Sequence, residues 1–266
     1  MAKSLVQQQF GAHAAAYATS PVHAKGASLG RLVEMVKPER HWRALDIATA
    51  AGHTALALAP HVAHVIASDI TDEMLVEARK LAKERGLTNV ETVKADAEAL
   101  PFQDASFDVV TCRIAPHHFP DVARFIAEVW RVLRPGGTFA LVDNISPDGE
   151  STPGFSEAEL SEAAVTYNAF EKLRDPSHVR CLTIGEWEKV ITLRGFNVVH
   201  KELLPKDLEF GPWLERMSVD SETAGRLEAM LREGTPALKA FLKPCEQDGA
   251  LWFTLDEMLV LATKPL

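Results

Sequence analysis

The sequence predicts an α/β fold: a doubly wound, seven-stranded sheet, mostly parallel with a final antiparallel strand. N-terminal helices come first, and a helical insertion precedes the last strand. Two observations carry this. Short apolar runs that read as buried strands alternate with amphipathic helical segments between residues 43 and 144, the rhythm of a parallel sheet with right-handed crossovers. The 266 residues are 47% hydrophobic and 24% charged, which supports one full core. No Gly/Ser-rich or Pro-rich linker and no internal repeat divides the chain, so a single domain is expected.

Taken in order, the first forty residues read as helices. Phe10, Ala14 and Tyr17 fall at helical intervals, and Leu29, Leu32, Val33 and Val36 repeat the spacing until Pro38. Then the period changes. Arg43–Ala48 reads as a buried strand, Thr54–Ala59 as a helix closed by Pro60, and His64–Ser68 as a second strand. Thr71–Arg85 reads as a helix, N-capped by Thr71, apolar at Met74, Leu75, Ala78 and Leu81, and stopped by Gly86. Strands follow at Val90–Ala95 and Phe107–Cys112, a helix at Asp121–Leu133 halted by Arg134–Gly137, and a strand at Thr138–Asn144. Beyond these, Ser156–Lys172 and Thr183–Arg194 read as helices and Phe196–Leu204 as a strand. Leu208–Leu242 reads as helical with turns near Ser218 and Gly234, and Leu255–Thr263 as the last strand.

Charge narrows the function. Thirty-seven Asp and Glu against 28 Lys and Arg give a net charge of −9, and no basic stripe offsets it, so nucleic acid is not the expected partner. No apolar run approaches the ~20 residues that span a bilayer. The N-terminus lacks the continuous apolar core of a signal peptide. Cys112, Cys181 and Cys245 are odd in number and widely spaced, which makes neither a disulfide framework nor a metal knuckle and suits a reducing cytoplasm. The ten histidines have no ligand-like spacing, so no metal is expected.

Three motifs carry chemistry. In LDIATAAGH (residues 45–53) a strand enters a loop of small residues and then a helix. Small side chains let backbone approach a ligand, and a helix start offers unpaired N–H groups. Alone, such a loop reads equally well as a tight packing turn. Asp69 ends the second strand, where a carboxylate can accept both hydroxyls of a ribose; the bland alternative is a solvated helix cap. Asp96 ends the third strand, placed to receive the amino group of an adenine beside backbone N–H groups, and Glu98 reads equally well as a surface charge.

The order LDIATAAG, ASD, ADAEALPF, FDVVTCR, LRPGG resembles class I S-adenosylmethionine (SAM) methyltransferases. The resemblance is nearer to the small-molecule branch that holds the ubiquinone and menaquinone C-methyltransferases. It implies a Rossmann-like fold with SAM as cofactor. It further implies an N-terminal helical lid over 1–40, a SAM-binding core over 41–145, and substrate-side helices with the last two strands over 146–266. By that resemblance Ala48, Thr49, Ala50 and Gly52 line the methionine and ribose part of SAM, and Asp69 holds the ribose hydroxyls. Ile70 and Met74 pack on the adenine, whose edge is read by Asp96, Ala97 and Glu98. Tyr17, in a lid running from Phe10 to His23, lies near the methionine end, and Arg113 and Ile114 border the methyl-transfer face. One departure stands out: the family's loop carries Gly where this chain has Ala48 and Ala50, and a methyl at Ala50 matters if that residue needs a positive φ.

His118 and His117 are the candidate general bases, because imidazole titrates near neutrality, although a Pro-flanked pair also reads as a structural turn. Asp143 and Asn144 are weaker candidates at the same rim. Cys112 reads as a buried core thiol. Trp213, Met217, Met230 and Phe241 read as lid packing, or as an apolar pocket for an aromatic, quinone-like or polyketide-like acceptor. The expected function is C- or O-methylation of a small apolar or aromatic molecule by a monomer or homodimer. The alternatives are a repurposed relative that keeps the fold without methylating, supported by Ala50, and a nicotinamide dehydrogenase, disfavoured by the loss of G-x-G-x-x-G.

Overall fold

The computed structural model describes residues 5–11, 14 and 26–266. Residues 5–11 are helical, and α1 spans Ala27–Val36 with Leu29, Leu32 and Val36 buried. Strand β1 (Arg43–Ile47) leads through the small-residue loop into α2 (His53–Leu58). Then come β2 (His64–Asp69), α3 (Asp72–Glu84), β3 (Val90–Lys94) and β4 (Phe107–Arg113). A 3₁₀ turn at Pro116–His118 precedes α4 (Val122–Val132), which Asp121 N-caps by accepting from Arg124 N–H at 2.9 Å.

Strand β5 (Leu133–Asn144) is followed by α5 (Glu157–Arg174) and α6 (Ile184–Arg194). Each of these helices starts on a capping box, Ser156 with Glu159 and Thr183 with Glu186, which satisfies orphan N–H groups reciprocally. The chain closes with β6 (Asn197–Glu209), α7 (Phe210–Glu215), α8 (Ser221–Glu233), α9 (Pro236–Leu242), β7 (Cys245–Gln247) and β8 (Ala250–Thr263).

The strands form one sheet in the order β3-β2-β1-β4-β5-β8-β6, and β7 pairs with β8 as an addition to the seven expected strands. From β3 to β5 neighbours run parallel, and β8 lies antiparallel to both β5 and β6. Alternate residues feed two apolar layers. Leu45, Ile47, Ile66, Val110 and Leu141 face one, while Ala44, Val65, Ala67, Val109 and Val142 face the other. Strands buried on both faces are apolar on both, so these runs lack regular polar alternation and carry only isolated polar residues such as Asp46 and Thr111.

Other boundaries moved. The segment Arg134–Gly137 does not separate α4 from β5: the strand begins at Leu133, paired with Phe107, and a register shift before Val109 absorbs the extra residues. The stretch from Leu208 to Leu242 continues β6 to Glu209 and then divides into three helices, with Ser218 in a left-handed turn between the first two. Strand β8 starts five residues before the predicted Leu255, because β7 folds back on it. Among the described residues no helix is long and apolar enough to cross a membrane.

Strand order reverses at β1, whose neighbours are β2 and β4, so a crevice opens at the carboxyl ends of these strands. Gly52 sets the turn into α2 there. Its φ is +87°, and a Cβ would meet the Ala78 Cβ of α3 at 3.0 Å. Gly52→Ala is therefore expected to cost about 1–3 kcal/mol in urea denaturation; a loss within experimental error would contradict this reading.

Candidate functional site

One cavity of about 1590 Å³, counting its open mouth, lies over this crevice. Ala48, Thr49 and Ala50 form one wall, and Asp69, Ile70 and Met74 the next. Asp96, Ala97 and Glu98 continue it from the end of β3, and Arg113, Ile114, His117 and His118 close the far side. Gly52 is not on the wall; it serves the turn behind it. Tyr17 and His23 lie outside the described residues. Val6 and Phe10 reach the cavity from the N-terminal helix, where Gln7 Nε2 donates to the Ile70 carbonyl at 2.9 Å.

The small-residue loop is tied to both neighbouring strands. Asp46 of β1 is buried and accepts from Thr49 Oγ1 at 2.5 Å, Thr111 Oγ1 at 2.7 Å and Ala55 N–H at 3.2 Å. Burial pushes its carboxyl up to about 6, against those donors. Asp69 is held as a splint: Oδ2 accepts from Ala50 N–H at 2.9 Å and Oδ1 from Thr71 N–H at 2.8 Å. Burial raises its pKa as well, and the amides of Thr71 and Ala50 oppose the rise. Thr71 occupies the N-cap position of α3, but its side chain makes no capping bond.

Ala48 and Ala50 both adopt left-handed backbone, with φ of 51° and 47°, and Ile114 at the end of β4 does so with φ of 55°. Such conformations cost an L-residue roughly 1–2 kcal/mol and collect where a site requires them. The methyl of Ala50 is thus tolerated in the conformation that glycine usually takes, and its N–H still reaches Asp69.

Beyond the end of β3, Asp96 Oδ1 accepts from Glu98 N–H at 3.0 Å. Glu98 is buried, not a surface charge; its Oε1 accepts from Asp121 N–H at 2.8 Å, fastening this loop to the start of α4. Arg113 donates from Nε to Thr54 Oγ1 at 3.1 Å, and burial lowers its pKa.

The far end is polar. His117 Nδ1 lies 2.6 Å from Asp143 Oδ1, with both residues buried. A carboxylate only accepts, so Nδ1–H donates and Nε2 is left as the basic nitrogen. Burial alone would lower the His117 pKa; the Asp143 charge and hydrogen bond outweigh it and raise the pKa above 6.5. His118 differs. Its Nδ1 lies 3.2 Å from Ser177 Oγ, and Phe10 packs edge-on with ring centroids 5.0 Å apart. Burial and the neighbouring His117 push it down to about 3, which keeps it neutral.

Sequence reasoning missed the rest of this end: Glu171, Arg174, Asp175, His178 and Lys206 also line the cavity. Of the aromatic and methionine series, Trp213 lines it, whereas Met217 and Phe241 are buried elsewhere and Met230 packs against the core. The buried Cys112 thiol has its pKa pushed up by burial, and all three cysteines are free. No group of His, Cys, Asp or Glu among the described residues is arranged to hold a metal.

The chain is 34% identical over 259 residues to YcgJ, an uncharacterized methyltransferase of Bacillus subtilis, covering 96% of this chain and 97% of that one. The chain belongs to the SAM-dependent methyltransferase family. A family model described as a methyltransferase domain matches residues 45–141, the segment that builds the loop, Asp69, Asp96 and the β4 exit. The crystal structure of YcgJ superposes with a TM-score of 0.79 at 33% identity, covering 90% of this chain and 98% of that one. A demethylmenaquinone methyltransferase of Thermus thermophilus is 38% identical over 115 residues, which is 42% of this chain and 52% of the relative. Its likeness is confined to less than half of this chain and about half of the relative.

The family's cofactor is SAM, and the residues present suit it. A fixed carboxylate on the cavity wall, a second carboxylate at the next strand end, and a loop turned by left-handed alanines match a ribose, an adenine edge and a chain lying against backbone. Ala50→Gly should relieve the left-handed strain and partly offset it by unfolded-state entropy. The expected result in urea denaturation is a stability between unchanged and about 1 kcal/mol higher; a loss of more than about 1 kcal/mol would contradict the assigned backbone.

Proposed function

We propose that this protein transfers the methyl group of SAM to a small molecule held between the small-residue loop and the His117–Asp143 pair. The observation that carries the reading is the Asp69 carboxylate, fixed by the Ala50 and Thr71 amides on the same cavity wall that leads to His117. Asp69 would hold the ribose hydroxyls, Asp96 with the Ala97 and Glu98 backbone the adenine edge, and Ile70 and Met74 its faces. Ala48–Ala51 would lie along the methionine portion. SAM supplies an electrophilic methyl on a sulfonium sulfur, ready for in-line displacement.

The protein's share is alignment and proton handling. Positioning a nucleophile in a closed crevice can supply much of the rate. Asp143 holds the His117 ring in the tautomer that leaves Nε2 basic, so Nε2 takes the acceptor's proton as its nucleophilic atom gains the methyl. His118, neutral and bonded to Ser177, shapes the wall beside it. The apolar pocket suggested by Trp213, Met217, Met230 and Phe241 is replaced here by a wall in which Trp213 alone of the four takes part, so an acceptor with polar groups suits this end better than a purely apolar one.

Calorimetric titration with S-adenosylhomocysteine should show saturable binding, and Asp69→Ala should weaken it by about 10- to 150-fold, the worth of hydrogen bonds to a charged group. No heat and no thermal shift at millimolar ligand would overturn the reading. The pH profile has a definite sign. His117 accepts a proton only when neutral, so turnover should climb with pH through an apparent pKa above 6.5. Asp143→Asn removes the charge that raises this pKa and leaves the lowering effect of burial, so the limb should move to lower pH while the rate falls. His117→Ala should lower the rate by roughly 10²–10⁴ with cofactor affinity retained; an unchanged rate would exclude it as the base.

A further inference from the structure

At the far end of the cavity nearly every polar group already has a protein partner. His117 is bonded to Asp143, His118 to Ser177 Oγ, and His178 Nε2 lies 3.0 Å from Asn168 Oδ1. Asp175 Oδ1 accepts both the Ser177 N–H at 2.9 Å and its hydroxyl at 2.6 Å. Lys206 is paired with the buried Glu257, and Arg174 donates to the Trp213 carbonyl at 3.1 Å while stacking 4.4 Å from the indole centroid.

Two carboxylate oxygens break the pattern, Asp143 Oδ2 and Glu171 Oε1, and of the two residues Glu171 lines the cavity. It is 5% exposed, and its Oε1 has no hydrogen-bond partner. Among the described residues no ion pair reaches it, and burial raises its pKa against the nearby charges of Arg174, His117 and Lys206. A carboxylate withdrawn from water without a donor destabilises the folded state. It also sits on the buried stripe of α5 with Ala163, Tyr167 and Phe170, where an apolar residue would serve packing better. A group kept against stability in a ligand cavity is a group that a ligand completes.

We propose that Glu171 anchors the methyl acceptor by accepting a hydrogen bond from an N–H or O–H group, so the acceptor is an amine or an alcohol with an apolar body. The body has its own wall: Trp213, Phe119, Leu208 and Leu255 line the same end. This rests on the methyltransferase reading, and deepens it by assigning the acceptor's class and the residue that selects it.

Three probes of one shape separate the possibilities: benzylamine, benzyl alcohol and toluene, each titrated by NMR into protein saturated with S-adenosylhomocysteine. Either donor-bearing probe should bind roughly 3- to 10-fold more tightly than toluene, the worth of one buried hydrogen bond; which one is tighter tells ammonium from hydroxyl. Glu171→Met, which keeps the side chain's length and removes the acceptor, should bring that ratio close to one, leave S-adenosylhomocysteine affinity unchanged, and raise the melting temperature by about 2–4 °C. The proposal is overturned if toluene binds as well as the others, if no probe binds at millimolar concentration, or if the preference survives in Glu171→Met. A variant less stable than the parent would make Glu171 a structural countercharge, which also overturns it. Failure of the parent protein to bind S-adenosylhomocysteine is a separate outcome that defeats the methyltransferase site itself, and this proposal with it.

Discussion

The Asp69 carboxylate, gripped by two backbone amides, is the constraint on which the rest of the site depends. One amide belongs to the loop after β1 and the other to the start of α3, so a single side chain fixes the spacing of two strand ends. Burial makes the charge costly, and the two N–H groups offset that cost while leaving the carboxylate on the cavity wall. Asp46 performs the matching task beneath the loop, gathering Thr49, Thr111 and the Ala55 amide. Between them the loop is fastened from both sides, and alanines can be held in backbone that normally calls for glycine.

Much of this was legible in the sequence, for a physical reason. Parallel strands buried on both faces leave uninterrupted apolar runs, and the polar residue that ends such a run has to be solvated, bonded or functional. Asp69, Asp96 and Arg113 sit at those ends, which is why strand boundaries alone placed them around one crevice. Gly52 misled in a small way: the surviving glycine of the loop serves helix packing, while Ala48 and Ala50 form the wall. Nothing in composition distinguishes an alanine at positive φ from an ordinary one.

The other half of the cavity was not legible. Glu171, Asp175 and His178 are separated from His117 by more than fifty residues, and their meeting depends on the loop that follows α5 folding back onto the 3₁₀ turn. The backbone makes that contact, with the His117 carbonyl accepting from the Val179 and Arg180 N–H groups at 2.9 Å each. A signal did exist: Glu171 interrupts the stripe of Ala163, Tyr167 and Phe170, and a carboxylate on the apolar face of a helix calls for explanation. Of the adjacent histidines, the sequence favoured His118 as the one to touch the acceptor. Burial separates them, since Asp143 raises one pKa while His118 is pushed down, and only the first has the orienting partner of a base.

The division of labour is then plain. In the proposed reading, the β1–β3 edge supplies fixed carboxylates and a tightly turned loop for the cofactor, and α5 with the 3₁₀ turn supplies carboxylates and imidazoles for the acceptor. A crystal structure with S-adenosylhomocysteine tests this most directly. The account predicts both ribose hydroxyls on Asp69, the adenine between Met74 and Asp96, and the sulfur directed toward the end that holds His117 and Glu171. A nucleoside bound away from Asp69, or a sulfur directed away from His117, would contradict it.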